Sequence, residues 1–323
     1  MKTLLFFLLG VVILAIALVQ MFALKRDRDA ARNYPPTGQL IDVNGVTVHA
    51  VQMGKGPDLV LLHGASGSTR DFSFAFADLV KDRYRVTMLD RPGLGWTEQI
   101  DPAHKRAFST AHASPRAQAR LLKAATEQLG VTRPIVLGHS FGGIVGYAWA
   151  LEFDDLAGLV SVAGVANPWP DDLGWTYRVN GSAWGGGLVV PVLSAFVPHR
   201  LVEDTLGSIF EPQSAPDGYL EYVGADLSLR RHSMRANARQ VNGLRPYVVE
   251  MSAQYGNITV PVEIVHGDAD TIVPLAVHSA KVPDQIDGAN LTVLSGVGHM
   301  PQHTNPDDVI AAIDRVAARA GLR

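Results

Sequence analysis

Ser140 stands in the pattern Gly138-His139-Ser140-Phe141-Gly142, between an apolar run at 134–137 and an apolar segment at 144–150. The run suits a buried strand and the segment a buried helix, so the serine falls on a sharp strand-to-helix turn. Gly138 and Gly142 let strand and helix cross closely there. By itself the pentapeptide also reads as a glycine-rich turn with an incidental serine. The flanking elements favour a nucleophile. A serine hydroxyl is a poor nucleophile near neutral pH. It needs a base, an acid to orient the base, and donors for a developing oxyanion. The base candidate is His299, in GVGHMP at 296–301, and the acid candidate is Asp270, in GDADTIVP at 267–274. Each follows an apolar run that reads as a strand. Asp268 is the alternative acid.

These residues need a scaffold that brings strand ends together. Segments 40–43 and 46–51 flank Asn44-Gly45, a strong hairpin signal. Apolar runs at 59–62, 84–89, 134–137, 158–163, 262–266 and 291–295 read as further strands. Between them, 70–81 reads as a helix, and Ser114-Pro115 opens another with a cap and proline at its first position. The last helix starts at Asn305-Pro306 with two acids in its first turn. Alternating strands and helices predict an α/β fold, with a mostly parallel central sheet and helices on both faces. Ligands on such sheets bind at the carboxyl ends of the strands.

At this point the chain resembles the α/β-hydrolase superfamily. The matching motifs are HGASG at 63–67, DRPGLGW at 90–96, GHSFG at 138–142, GDADTIVP at 267–274 and GVGHMPQHTNP at 296–306. The resemblance covers residues 40–320, and the order Ser140, Asp270, His299 matches that of the fold. It implies Ser140 as nucleophile, His299 as base and Asp270 as acid. It also implies an oxyanion hole from the backbone N–H groups of Ala65 and Phe141. Related dehalogenases and epoxide hydrolases carry aspartate at the elbow, so Ser140 disfavours those chemistries. The resemblance implies a helical lid at 167–258, within a core of 39–166 and 259–323. Trp169, Trp175, Trp184, Phe196, Phe210, Tyr219 and Tyr222 are expected mostly in the lid's own small core, with a few lining an acyl pocket. Gly185-Gly186-Gly187 reads as a hinge. Arg230, Arg231, Arg235 and Arg239 fall at helical spacing and read as a solvated face. An anion site or a membrane-facing basic strip are the alternatives.

The net charge of −3 gives no global pull toward nucleic acid, and none is expected as a partner. The chain has no cysteine, which excludes disulfides and a thiolate nucleophile. His63, His139, His266 and His299 lie near strand ends, but each has a place in the motifs above. Neither a metal site nor a cofactor is expected. Residues 3–24 form an apolar run long enough to span a bilayer, without a convincing cleavage site. They read as an anchor at 1–25, followed by an extended tether at 26–38. Counting flanking charges puts the domain in the cytoplasm, but short bacterial anchors also insert the other way. The expected activity is hydrolysis of an apolar or lipid-like carboxylic ester through an acyl-enzyme. An anchored hydrolase with a lid is similar in layout to monoacylglycerol lipases. The alternatives are a cofactor-free haloperoxidase, perhydrolase or amidase, or a ligand-binding receptor on the same scaffold.

Overall fold

The computed structural model describes residues 1–170 and 173–323. The expected hairpin forms from β1 (Gln39–Val43) and β2 (Val46–Gly54), with Val43 opposite Val46. Asn44 and Gly45 both take positive φ, 53° and 83°, as a tight two-residue turn between twisted strands requires. Next come β3 (Asp58–Leu62), β4 (Arg85–Leu89), β5 (Ile135–His139), β6 (Gly158–Val162), β7 (Val262–Gly267) and β8 (Asn290–Leu294). They make one sheet in the order β1-β2-β4-β3-β5-β6-β7-β8. The β1–β2 and β2–β4 pairs are antiparallel, and every other pair is parallel. Strands β3, β5, β6 and β7 are buried along their whole length. That explains why they read as nearly unbroken apolar runs.

The helices that bear on the site include α1 (Lys2–Asn33), α2 (Thr69–Ser73), α3 (Phe76–Val80), α4 (Pro115–Gln128) and α5 (Phe141–Glu152). Between β6 and β7 lie α6 (Trp175–Gly181), α7 (Val190–Phe196), α8 (His199–Ser208), α9 (Tyr219–Val223), α10 (Asp226–Leu229), α11 (Arg231–Asn242) and α12 (Leu244–Ser252). The chain closes with α13 (Pro306–Arg319). Alternation along β3 sorts the core into two layers. Val60 and Leu62 face Leu122 of α4 and Ile144 of α5, while Leu59 and Leu61 face Phe76 of α3 and Ile313 of α13. Each such side chain contributes about 1.5–3 kcal/mol on burial.

Three local expectations change. The helix expected over 70–81 is two short helices, interrupted at Ala75 (φ −152°). At the break the Phe74 ring meets Tyr219 and Tyr222 of α9 at 5.3 and 5.5 Å. Ser114 caps α4, accepting from Ala117 N–H at 3.1 Å, but Asn305 makes no such bond at α13. Residues 26–38 are not an extended tether: α1 continues to Asn33. Its polar end is helix-competent, with Asp29 pairing Lys25 and Arg32 at 3.2 and 3.3 Å, and Pro35 comes too late to stop it.

The inserted helices also depart from expectation. The four arginines are clamps rather than a solvated face. Arg230 is buried over Trp96 and bonded to Gly95 O, and Arg231 pairs with Asp27 at 2.8 Å. Arg235 donates to Gly186 O at 2.7 Å, and Arg239 to Ala107 O at 2.8 Å. Gly185, Gly186 and Gly187 are buried in a π-helical turn, packed too tightly for a free hinge. A Cβ on Gly185 would lie 1.7 Å from Val179 O. Phe210 and Tyr219 are buried, but against Phe74, Met300 and His303 outside the insertion, and Trp175, Trp184 and Phe196 point outward.

Candidate active site

Ser140 joins β5 to α5 with φ 53° and ψ −118°, a strained region for a residue with a side chain. Its neighbours hold it there. Its N–H donates to Val162 O at 3.0 Å, and its carbonyl accepts from Val165 N–H at 3.1 Å and Gly143 N–H at 2.9 Å. The turn closes only with glycines on both sides. A Cβ at Gly138 would lie 2.2 Å from Gly142 O, and one at Gly142 2.1 Å from Leu62 O.

Asp270 and His299 follow β7 and β8. His299 Nδ1 lies 2.7 Å from Asp270 Oδ2. A carboxylate can only accept, so Nδ1 carries the proton and Nε2 is left as an acceptor. The other carboxylate oxygen, Oδ1, accepts from Ile272 N–H at 2.8 Å and Val273 N–H at 2.9 Å. Burial by itself would raise the Asp270 pKa. The hydrogen bonds from His266 and His299 outweigh it and hold the carboxyl well below the usual range. Asp268 is elsewhere, accepting from Gly296 N–H at 2.6 Å and tying the two loops together. Geometry therefore separates the two acid candidates.

Ser140 and His299 line one cavity of about 500 Å³, together with Gly64 and Ala65. No hydrogen bond joins the Ser140 hydroxyl to His299 among the described residues. Such bonds are often long before substrate arrives. The loop at 63–67 abuts the serine: a Cβ on Gly64 would lie 3.0 Å from Ser140 Cβ. The N–H groups of Ala65 and Phe141 have no acceptor among the described residues. Phe141 N–H is also at the positive end of α5, which favours a negative charge there.

Several supporting residues stand in the sequence motifs, but only the structure supplies their partners. His266 is fully buried, with Nε2 3.1 Å from Asp270 Oδ2 and 2.7 Å from Val273 O, and Nδ1 2.7 Å from Ser279 Oγ. It shares Asp270 Oδ2 with His299. His139 Nε2–H donates to His299 O at 2.9 Å, and burial, reinforced by the nearby His299, lowers its pKa to about 4. Arg91 is buried without a carboxylate partner among the described residues. It donates to His63 O and Gly64 O at 3.0 Å, just before Ala65, and its guanidinium covers the Phe141 ring at 4.0 Å. Burial lowers its pKa to about 9. Asp90 braces the loop after β4, accepting from Thr69 N–H, Trp96 N–H and His49 at 2.6–2.7 Å.

The insertion reaches the site too. Asn237 Oδ1 accepts from Ser66 N–H at 2.7 Å, bracing the 63–67 loop from α11. Tyr219 donates to Asp71 Oδ1 at 2.7 Å, and His303 Nε2 bonds the same oxygen at 2.8 Å. Burial would raise the Asp71 pKa, but His303 outweighs it and keeps the carboxyl low. These contacts left no mark on the local sequence pattern, because each joins residues far apart in the chain.

The remaining cavity wall is mostly apolar, with Val197, Leu201, Val202 and Leu206 contributed by the end of α7 and by α8. No lysine or arginine lines it among the described residues. The arrangement suits attack by a hydroxyl on a neutral carbonyl, with proton transfer to His299 and two N–H donors nearby for an oxyanion.

A family model described as the alpha/beta hydrolase fold matches residues 57–306. An Escherichia coli 2-hydroxy-6-oxononadienedioate/2-hydroxy-6-oxononatrienedioate hydrolase is 26% identical over 297 residues, 84% of this chain and 91% of that protein. The crystal structure of an alpha/beta hydrolase fold protein from Burkholderia ambifaria matches with TM-score 0.67 and 26% identity, over 85% of this chain and 96% of that one. A solved membrane phospholipase A, described as a bacterial virulence factor, matches in fold with TM-score 0.67 at 19% identity, over 98% of this chain and 99% of that one.

Proposed function

This chain belongs to the α/β-hydrolase fold family, and on that premise we propose that it is a membrane-anchored serine esterase acting on neutral, apolar carboxylic esters. The observation that carries the reading is the 2.7 Å bond from His299 Nδ1 to Asp270, which leaves His299 Nε2 as an acceptor on the cavity shared with Ser140. In the first half-reaction His299 Nε2 takes the Ser140 proton as the oxygen attacks the ester carbonyl. The N–H groups of Ala65 and Phe141 hold the oxyanion. His299 then passes its proton to the leaving alcohol. In the second half-reaction His299 activates water, which releases the acid and restores the serine. Asp270 stabilises the imidazolium and holds its tautomer.

The cavity bears on the substrate. The E. coli relative is named for a dianionic substrate, and burying two carboxylates requires cationic or strongly donating partners. A wall without lysine or arginine favours a neutral acyl chain instead. Among the described residues, α1 is the only single helix long and apolar enough to cross a membrane. In this reading it is the anchor, and the helices between β6 and β7 are a lid.

The test is turnover of a chromogenic ester series, from acetate to long acyl chains, by the full chain in detergent. Ser140→Ala should lower kcat by about 10⁴–10⁶ while leaving the fold intact. Equal rates for wild type and Ser140→Ala on every ester would overturn the proposal.

A further inference from the structure

The helices between β6 and β7 carry an outward face built for something other than water. Trp184, Leu188, Val192 and Phe196 recur every fourth residue and are 73%, 54%, 44% and 53% exposed. The opposite side of the same segment, including Gly187, Val190 and Ser194, is buried. From Ser182 to Pro198 the sequence holds no charged residue. A water-facing helix stripe is normally polar, and a contiguous apolar one marks a contact surface. Helix α6 and the segment Gly185–Phe196, bent by 86° against each other, are together as apolar as a membrane-crossing helix.

The position of α1 identifies the occupant. Residues 2–18 stand free of the protein, and contact begins at Val19. From there α1 lies along α7 and α10. Gln20 accepts from Arg231 at 2.8 Å, Ala23 is buried, Arg26 pairs with Asp226 at 3.2 Å, and the Phe22 ring lies 5.6 Å from Phe196. Residues 3–18 reach only ~24 Å at a rise of ~1.5 Å per residue, short of the ~30 Å hydrocarbon core. The full apolar run, 3–24, reaches ~33 Å and is long enough. A bilayer spanned by α1 must therefore come up to the level of Phe22, where Phe196 ends the outward stripe. The residues just beyond it, Val197, Leu201 and Val202, already wall the cavity that holds Ser140.

We propose that the stripe Trp184, Leu188, Val192 and Phe196 docks on the surface of the bilayer that α1 crosses, and that the ester enters the cavity from that bilayer. The inference rests on the anchored-esterase reading and deepens it. The substrate is a membrane lipid ester, and the inserted helices are the membrane-facing side of the domain. A second copy of the chain is the rival occupant. It would not explain the shortfall in the free length of α1.

The absence of cysteine makes a clean depth measurement possible. Val192→Cys in the full chain is labelled with a nitroxide and reconstituted in phosphatidylcholine–phosphatidylglycerol vesicles. Leu79→Cys, on the exposed side of α3, serves as the aqueous control. The Val192 label should favour collision with oxygen over a water-soluble nickel complex, and the Leu79 label the reverse. A Val192 label as open to nickel as Leu79, or spin–spin broadening from a second copy at Val192, would overturn docking. A separate arm compares wild type with Leu188→Glu/Val192→Glu. Turnover of a long-chain ester embedded in vesicles should fall about tenfold or more, the cost of placing carboxylates at the interface. Turnover of a water-soluble acetate ester should stay within about twofold, since neither side chain lines the cavity. Undiminished turnover of the vesicle ester would overturn entry from the bilayer. Inactivity of wild type on both esters would sink the esterase reading instead, and the depth measurement would still decide the docking.

Discussion

The two sides of the cavity handle polarity in opposite ways. On the sheet side, charged and polar groups are buried and densely bonded. Asp270 is 5% exposed and accepts from two backbone N–H groups and two histidines, and Arg91 is fully buried among carbonyls and amides. On the insertion side, large apolar groups stand in the open, with Trp184 at 73% exposure. Buried polar groups are tolerable only when satisfied, and once satisfied they hold a fixed geometry. The sheet side is thus built to keep reacting atoms in place. The insertion, tied to α1 and the core by arginine–carbonyl and arginine–carboxylate bonds, is built to meet an apolar neighbour.

The sharpest test of that contrast is a pair of neutralising substitutions on the sheet side. Asp270→Asn should lower kcat by about 10⁴, because the wrong His299 tautomer would be stabilised. Asp268→Asn, at a carboxylate that accepts from Gly296 N–H and not from His299, should leave the rate within about threefold. Similar losses for both in steady-state kinetics would mean that the site is not organised around the buried acid.

The sheet side should also be acid-sensitive. His63 and His139 are held neutral by burial, each with its pKa lowered to about 4. Between about 6.5 and 4 the unfolded chain protonates these histidines and the folded one does not, so stability falls as pH falls. Each should contribute a loss on the order of 3 kcal/mol by pH 4. The lowered Asp270 pKa adds a loss only below about 4, as pH falls through the unfolded carboxyl value. Urea midpoints between pH 7.5 and 4.5 measure the histidine effect, and a flat profile would contradict it.

A third experiment asks whether the division is clean. Asn237 comes from the insertion yet grips Ser66 N–H beside Ala65. If it holds the oxyanion donor in place, Asn237→Ala should lower kcat about ten- to hundredfold, with little change in KM. A rise in KM alone would return Asn237 to the role of cavity lining. The smallest effect is expected from Tyr219→Phe, which deletes the bond from α9 to Asp71. Its cost of about 1–2 kcal/mol should lower Tm by only a few degrees, readable by calorimetry.

Local pattern carried much of this architecture. The eight strands lie where short apolar runs and the Asn44-Gly45 turn predict them. The helix α4 starts at Ser114-Pro115, and Ser140 sits on a turn between strand and helix. The departures share one cause. The helix over 70–81 breaks where Phe74 meets α9, and α1 overruns the expected tether because Arg26 and Asp27 find partners in the inserted helices. Arg230 and Arg239 read as surface charges because nothing nearby in sequence reveals the carbonyls of Gly95 and Ala107.

The order of strands and helices, the apolar span of α1 and the residue types able to do chemistry at strand ends were determined by the sequence alone. Periodicity, turn residues and glycine placement act over a few residues and can be read there. Tertiary structure alone decided that Asp270 rather than Asp268 bonds His299, that His266 and Asn237 support the site, and that Trp184 and Phe196 face outward. An apolar side chain has the same identity whether it buries in protein or meets lipid. Its partner is chosen by long-range packing, which no local pattern records.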